Sequence, residues 1–383
     1  MENPKKILIV AGEASGDLHA ANLVESIKKI YPQASFFGLG GPKMKKQGVQ
    51  LSGDLTKFAV VGFWEVLKNL PKFKKIFRDI LDVAEKQKPD LAILVDYPGF
   101  NLRLASELYK RKIPVAYYIS PQIWAWGPKR IYLIKKVIKM MLVFFNFEEK
   151  LYKAHGVAVT FVGNPLLDTV KTSIPREELL HQAGLMPGKL TVCLLPGSRE
   201  KEVTTLLPVM LKCAKIINGY LSGRVQFLIL RSPALKEEIF LKALKSYDLP
   251  VKTLTGLTYD GIAASDFALV CSGTATLETA ILAIPMAILY KVNFLTWVFI
   301  RSMIKIPYIG LVNVVKGRKI AEEFIQFDAD PEKICDYVIP LLRDKNKLAR
   351  LKLELLCIKG LLGQPGANLR AALAVADLLK NKS

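Results

Sequence analysis

Residues 8–22 read LIVAGEASGDLHAAN, an apolar run of strand length, a loop flanked by Gly12 and Gly16, and a helical pattern starting at about Leu18. A strand–loop–helix unit of this kind opens a Rossmann-like α/β domain, and its loop ordinarily receives phosphate at the positive end of the helix. Here the loop carries Glu13 and Asp17, and a carboxylate at a helix mouth repels pyrophosphate. The unit therefore predicts an α/β fold whose first loop suits a polyhydroxylated sugar.

Outward from this unit, short apolar runs alternate with helical stretches along the whole chain. Candidate strands are Lys6–Ala11, Ser35–Leu39, Leu91–Val95, Val115–Ile119 and Val159–Val162, then Thr191–Leu195, Val225–Ile229, Val251–Leu254, Phe267–Cys271 and Met286–Tyr290. Such alternation predicts parallel sheets covered by helices on both faces. The pattern restarts near Leu190, after a helix-like stretch at Arg176–Ala183. Two Rossmann-like domains follow, at 1–168 and 169–350, with a linker around Asn164–Pro175 and C-terminal helices over 351–383. In the closing segment, Asn368 is the expected N-cap, with Leu369, Ala372, Leu373, Ala376 and Leu379 at helical spacing.

The chain has 383 residues, 51% of them apolar, enough for two domains with sizeable cores. Five scattered cysteines without a Cys-x-x-Cys pair argue for reduced thiols rather than a disulfide framework or zinc site. Only three histidines are present, which leaves little material for a His-based metal site or triad. The N-terminus, MENPKKILIV, enters a strand directly and lacks a secretory signal, so a cytoplasmic protein is expected. Lys291, Arg301 and Lys305 interrupt the most apolar long region, which argues against a spanning helix.

A net charge of +21 implies an anionic partner. Between Lys57 and Arg78 the chain reads KFAVVGFWEVLKNLPKFKKIFR, where Lys68, Lys72, Lys74 and Lys75 alternate with Val61, Phe63, Trp64, Leu67 and Leu70. Such a surface is suited to the interface of an anionic membrane, or else to a core-facing helix with a solvated lysine face. A second basic run, PKRIYLIKKVIKMM, spans Pro128–Met141. No zinc-finger spacing or RNP-like motif accompanies either run, so membrane is preferred over nucleic acid.

In open α/β sheets the ligand lies beyond the carboxyl ends of the strands. In the second half, Gly197, Ser198 and Arg199 follow Thr191–Leu195, and Ser272, Gly273 and Thr274 follow Phe267–Cys271. Small residues there let backbone N–H groups approach phosphate, although neither loop is a P-loop or G-x-G-x-x-G and Ser198 and Thr274 also read as helix caps. Glu278 is placed to accept from ribose hydroxyls, or is an ordinary surface acid. In the first half, Asp96 ends the strand LAILV and is placed either to take a proton from a hydroxyl or to cap the helix near Asn101.

The strings AGEASGDLHA, VDYPGFN, SPQIWAWGPKRI, GNPL, LLPGSREKEV, CSGTATLE and GLVN, in this order over nearly the whole chain, resemble the lipid-A-disaccharide synthase family. The resemblance implies an inverting glycosyltransferase of the GT-B fold, with two Rossmann-like domains facing a cleft and a last helix crossing back to the first. Its donor would be UDP-2,3-diacylglucosamine and its acceptor 2,3-diacylglucosamine 1-phosphate (lipid X), with no cofactor and no metal. It further implies Asp96 and Glu13 as catalytic acids, and Ser15, Asp17, His19, Asn101 and Trp124 on the acceptor or cleft side. Gly197, Ser198, Arg199, Ser272, Gly273, Thr274, Glu278 and Asn313 would serve the donor. Peripheral binding to the inner face of the cytoplasmic membrane and a homodimer formed by C-terminal exchange complete the expectation. Relatives often carry an acid where this chain has Gly99. Rival readings are another lipid-directed GT-B transferase, a UDP-sugar epimerase, and a non-enzymatic membrane module.

Overall fold

The computed structural model describes residues 4–56, 70–303 and 306–380. The chain divides into two units, Met1–Pro165 with Gly363–Ser383, and Leu166–Leu362. The boundary therefore falls inside the expected linker, near its start and slightly before the expected domain end at 168. Residues 166–175 belong to the second unit, where the Asp260 carboxylate accepts from the backbone N–H of Ser173 (2.6 Å) and Ile174 (2.9 Å).

In the first unit, β1 (Lys6–Ala11), β2 (Ser35–Leu39), β3 (Gln50–Gly53), β4 (Leu91–Val95), β5 (Val115–Tyr118), β6 (Met140–Val143) and β7 (Val159–Phe161) form one sheet. All pairings are parallel, in the order β3-β2-β1-β4-β5-β6-β7. The second unit holds β8 (Leu190–Leu195), β9 (Val225–Arg231), β10 (Val251–Thr255), β11 (Phe267–Cys271), β12 (Met286–Tyr290) and β13 (Glu322–Ile325), again parallel, ordered β10-β9-β8-β11-β12-β13. Central strands such as β4 and β11 are buried at every residue, as strands covered on both faces must be. In each sheet the order reverses once, between β1 and β4 and between β8 and β11.

The first sheet is covered on one face by helices Leu70–Gln87, Pro98–Lys110 and Arg130–Val137, and on the other by Ala14–Ile30 and Ala367–Lys380. The basic run at Pro128–Met141 is thus an amphipathic covering helix followed by β6. Ile131, Ile134 and Val137 are buried, while Lys135 and Lys136 face solvent. The tail expected at 351–383 is split, because helix Lys345–Leu361 lies in the second unit and only Ala367–Lys380 packs on the first. That last helix buries Ala367, Ala371, Ala372, Val375, Ala376 and Leu379, and leaves Leu369 and Leu373 about half exposed, so the buried stripe is rotated from the expected one. Asn368 sits inside the helix and its Oδ1 accepts from the Tyr118 hydroxyl at 3.0 Å.

Among the expected membrane residues, Val61, Phe63, Trp64, Leu67 and Lys68 lie outside the described residues, as does the side chain of Leu70. Lys72, Lys74 and Lys75 are exposed on the helix Leu70–Gln87. No described helix is long and apolar enough to cross a membrane.

Candidate active site

Each sheet reversal opens a crevice at the carboxyl ends of its two flanking strands. In the first unit β1 and β4 pair in register through Ala11 and Val95, so the loops beginning at Gly12 and Asp96 emerge side by side. A side chain at Gly12 would collide with the Tyr97 ring, which is why the loop needs glycine there. Asp96 and Tyr97 both have left-handed backbone, φ +46° and +49°. For non-glycine residues this costs about 1–3 kcal/mol each and persists only where the surroundings enforce it.

The enforcement is visible. The Asp96 carbonyl accepts from the Tyr117 hydroxyl (2.6 Å) and from Asn101 Nδ2 (2.7 Å), which also reaches the Val95 carbonyl (3.0 Å). The Asp96 N–H donates to the Tyr118 carbonyl at 2.9 Å. Clamped in this way, the half-buried Asp96 carboxyl is pushed up to about 6 by loss of water and by the neighbouring Glu13 charge, against a hydrogen bond from the Tyr97 N–H. It is ionised at neutral pH yet more basic than an ordinary carboxylate.

The other acceptor-side candidates fall into two groups. Ser15 is exposed in the first turn of the helix Ala14–Ile30, and His19 is half-buried one turn on, edge-on to Phe144 at 5.4 Å. Burial and then Lys43 lower the His19 pKa to about 4, which keeps the ring neutral. Asp17 and Asn101 are turned inward instead. Asp17 is 2% exposed, and its carboxylate accepts from the N–H groups of Gly41 (2.8 Å), Lys43 (2.9 Å) and Met44 (3.1 Å). It caps the helix Pro42–Lys46 from a distance and offers no free oxygen to a sugar. Asn101 is fully buried and holds the Asp96 backbone rather than a ligand.

Trp124 donates from Nε1 to Glu148 Oε1 at 3.2 Å and packs edge-on against Phe147. Glu148 is 3% exposed; burial raises its pKa to about 8, outweighing the hydrogen bonds from Trp124 and Ser120, so it is mostly protonated at neutral pH. Sequence reading passed over Glu148, although an acid inside the apolar run FFNFEE was a usable signal.

In the second unit Gly197, Ser198, Arg199, Ser272, Gly273, Thr274 and Glu278 line one cavity of about 420 Å³, together with Ser232, Pro233 and Thr258, which the sequence did not flag. Glu202 shapes its first loop. Its Oε2 accepts from the N–H groups of Ser198 (3.1 Å) and Arg199 (3.2 Å) at the start of helix Glu200–Leu221. Gly197 has φ +119°, and a side chain there would meet Glu202 Cβ at 2.7 Å. Arg199 pairs with Glu202 at 3.2 Å, but its side chain is 77% exposed. An exposed pair of this kind is worth about 0–1 kcal/mol, so the guanidinium is free to turn to a stronger anion. Glu278 has its pKa raised by burial alone.

Asn313 does not line this cavity. It is fully buried, and its Nδ2 donates to the Ala321 carbonyl and to Glu323 Oε1, both at 2.8 Å. Its Oδ1 accepts from the N–H groups of Ile320 (2.8 Å) and Ala321 (3.0 Å). Glu323 in turn holds the N–H groups of Ile309 (2.9 Å) and Gly310 (3.0 Å), and the Ile309 carbonyl receives the Ser272 hydroxyl at 3.2 Å. Asn313 thus reaches the cavity through a chain of hydrogen bonds.

A family model described as lipid-A-disaccharide synthetase matches residues 7–375. Relatives named lipid-A-disaccharide synthase include those of Syntrophus aciditrophicus, 45% identical with 99% of each chain covered, and Nitrosococcus oceani, 42% identical over 99% of this chain and 98% of the relative. Among solved structures, a S. aureus MnaA–UDP co-structure (TM-score 0.65, 14% identity, covering 98% of this chain and 97% of that one) has the same fold. So does a calicheamicin glycosyltransferase (TM-score 0.62, 13% identity, 99% of each chain). The two parallel-sheet α/β units make a GT-B fold, and the sequence matches are specific where the structural ones are general. The chain belongs to the lipid-A-disaccharide synthase family.

Proposed function

We propose that the protein transfers 2,3-diacylglucosamine from UDP-2,3-diacylglucosamine to 2,3-diacylglucosamine 1-phosphate with inversion, giving the β-linked disaccharide 1-phosphate and UDP. The observation that carries this reading is the Asp96 turn, a strained, clamped carboxylate made more basic by burial and by Glu13. Asp96 takes the proton of the acceptor's primary hydroxyl as its oxygen attacks the anomeric carbon. The bond from that carbon to the pyrophosphate oxygen breaks, and UDP leaves with the electron pair. Negative charge grows on the leaving group, so Arg199 and the N–H groups of the two glycine loops act more strongly in the transition state than before it. Glu13 keeps Asp96 basic, Ser15 and His19 border the sugar, and Glu278 accepts from the donor's ribose.

The acyl chains of both substrates require an interface. The exposed Lys72 and Lys75 support peripheral attachment to the anionic inner face of the cytoplasmic membrane. A homodimer formed by exchange of the segment beyond Gly363 would keep the contacts of the last helix, each made by the partner copy. The test is a reaction of both substrates in detergent micelles, followed by thin-layer chromatography and mass spectrometry. Disaccharide and UDP should appear in equal amounts and only with both substrates present. Conversion of the UDP-sugar without acceptor would instead indicate an epimerase.

A further inference from the structure

Beside the Asp96 turn, and wholly within the first unit, lies a recess of about 680 Å³ between helices Leu70–Gln87 and Pro98–Lys110. That volume is in the range of about 300–1,000 Å³ of pockets that enclose small ligands. Its wall is apolar: Phe73, Phe77, Leu81, Phe100 and the Tyr97 ring, with Phe77 edge-on to Phe100 at 5.3 Å and Phe100 tilted on Tyr97 at 6.3 Å. A wall with so few polar partners holds water poorly. Lys74, Arg78 and Arg103 also line the recess, and all three are exposed. None of them makes an ion pair with a described residue, whereas Arg111 and Lys153 each pair with a glutamate.

Hydrocarbon satisfies the wall, and an anion satisfies the rim. A ligand that satisfies both joins a fatty chain to a phosphate. Tyr97 belongs to the recess and directly follows Asp96, so a ligand seated there presents the rest of its body to the carboxylate. We propose that this recess seats one acyl chain of the acceptor while Lys74, Arg78 and Arg103 hold the acceptor's phosphate. The inference rests on the transferase reading above and adds to it the acceptor's subsite. It assigns the recess to a single bound acceptor molecule, and not to bilayer headgroups.

The experiment measures KM for acceptor and donor, and kcat, in mixed micelles for the full-length protein and for Arg78→Gln, Arg103→Gln and Phe73→Ser. Each arginine replacement should raise the acceptor KM about tenfold, the loss of one charge-assisted contact, with donor KM and kcat retained. With an acceptor lacking the phosphate, wild type and the arginine variants should become equal. With an acceptor stripped of both acyl chains, wild type and Phe73→Ser should become equal. Should Arg78→Gln or Arg103→Gln fail to fold, Lys74→Gln, also exposed, carries the same test. Unchanged acceptor KM in all variants overturns the inference, and so does an increase that persists with the phosphate-free acceptor. Loss of binding to phosphatidylglycerol vesicles with acceptor KM unchanged in micelles would assign the cations to the bilayer and likewise overturn it. Absence of transfer by wild type would refute the transferase reading itself, a result separable from all of these.

Discussion

The crevice between β1 and β4 and the crevice between β8 and β11 are made by the same device, a parallel sheet that reverses strand order and sends two loops into helices, yet they are furnished in opposite ways. The first holds two carboxylates, a left-handed pair of residues and a backbone locked by Tyr117 and Asn101. The second holds glycines, hydroxyls and an arginine that is mostly exposed and weakly tied. Fold geometry therefore supplies position, and the residues at the loop tips supply chemistry. A base must be fixed and partly dried to gain basicity, whereas a group that meets a mobile, highly charged leaving group does better if it can swing.

The sharpest way to break the contrast is Asp96→Asn, which keeps the shape of the turn and removes the base. Turnover should fall by about 10²–10⁴, while UDP affinity, measured by calorimetry, stays as in wild type. A variant retaining more than a tenth of the turnover would reduce Asp96 to a backbone element.

Arg199→Ala probes the other crevice. Loss of a donor that stabilises developing charge typically costs about 2.7–4 kcal/mol of transition-state stabilisation. UDP should also bind more weakly. Near-normal turnover with unchanged UDP affinity would place pyrophosphate recognition elsewhere.

Asn313→Ala separates support from contact. It leaves the Glu323 carboxylate and two backbone N–H groups short of partners, so stability should fall by about 1–3 kcal/mol. UDP affinity should weaken less than for Arg199→Ala. A loss of UDP affinity larger than the Arg199 effect, with Tm unchanged, would mean that Asn313 touches the ligand after all.

The remaining effect, on the pH dependence of stability, concerns Glu148. Its pKa rises from 4.5 to about 8 on folding, so the folded protein keeps a proton that the unfolded chain releases. Stability attributable to this group is then greatest below the unfolded value, declines as pH climbs through that window, and levels off above it. Glu148→Gln, neutral throughout, should flatten the fall of Tm across the window. An identical Tm–pH slope in variant and wild type would show that Glu148 is ionised in the folded state.

The buried scaffold was legible in the sequence where strands are central, because double-sided burial makes them continuous apolar runs; β1, β4, β8 and β11 are of this kind. The short or edge strands β3, β6 and β13 were not. Gln50–Gly53 exposes Gln50 and Ser52, Glu322–Ile325 opens on two half-buried glutamates, and Met140–Val143 follows directly on a lysine-rich helix. Loop residues were identifiable as a group, but whether a polar side chain turns toward ligand or toward backbone was not. Asp17, Asn101 and Asn313 look like site residues by type and position. Each instead satisfies backbone groups that burial would leave unpaired.

The central claim is that Asp96 is the general base and owes its basicity to burial and to Glu13. The measurement that tests it most directly is the pH profile of kcat/KM for wild type and Glu13→Gln. Only the ionised carboxylate accepts the proton, so the wild-type rate should fall below a limb near pH 6, where Asp96 titrates. Removing the Glu13 charge should make Asp96 easier to ionise and move that limb to lower pH. The acceptor phosphate also titrates at about pH 6, but its limb would be indifferent to Glu13. A limb that stays in place in Glu13→Gln would contradict the account.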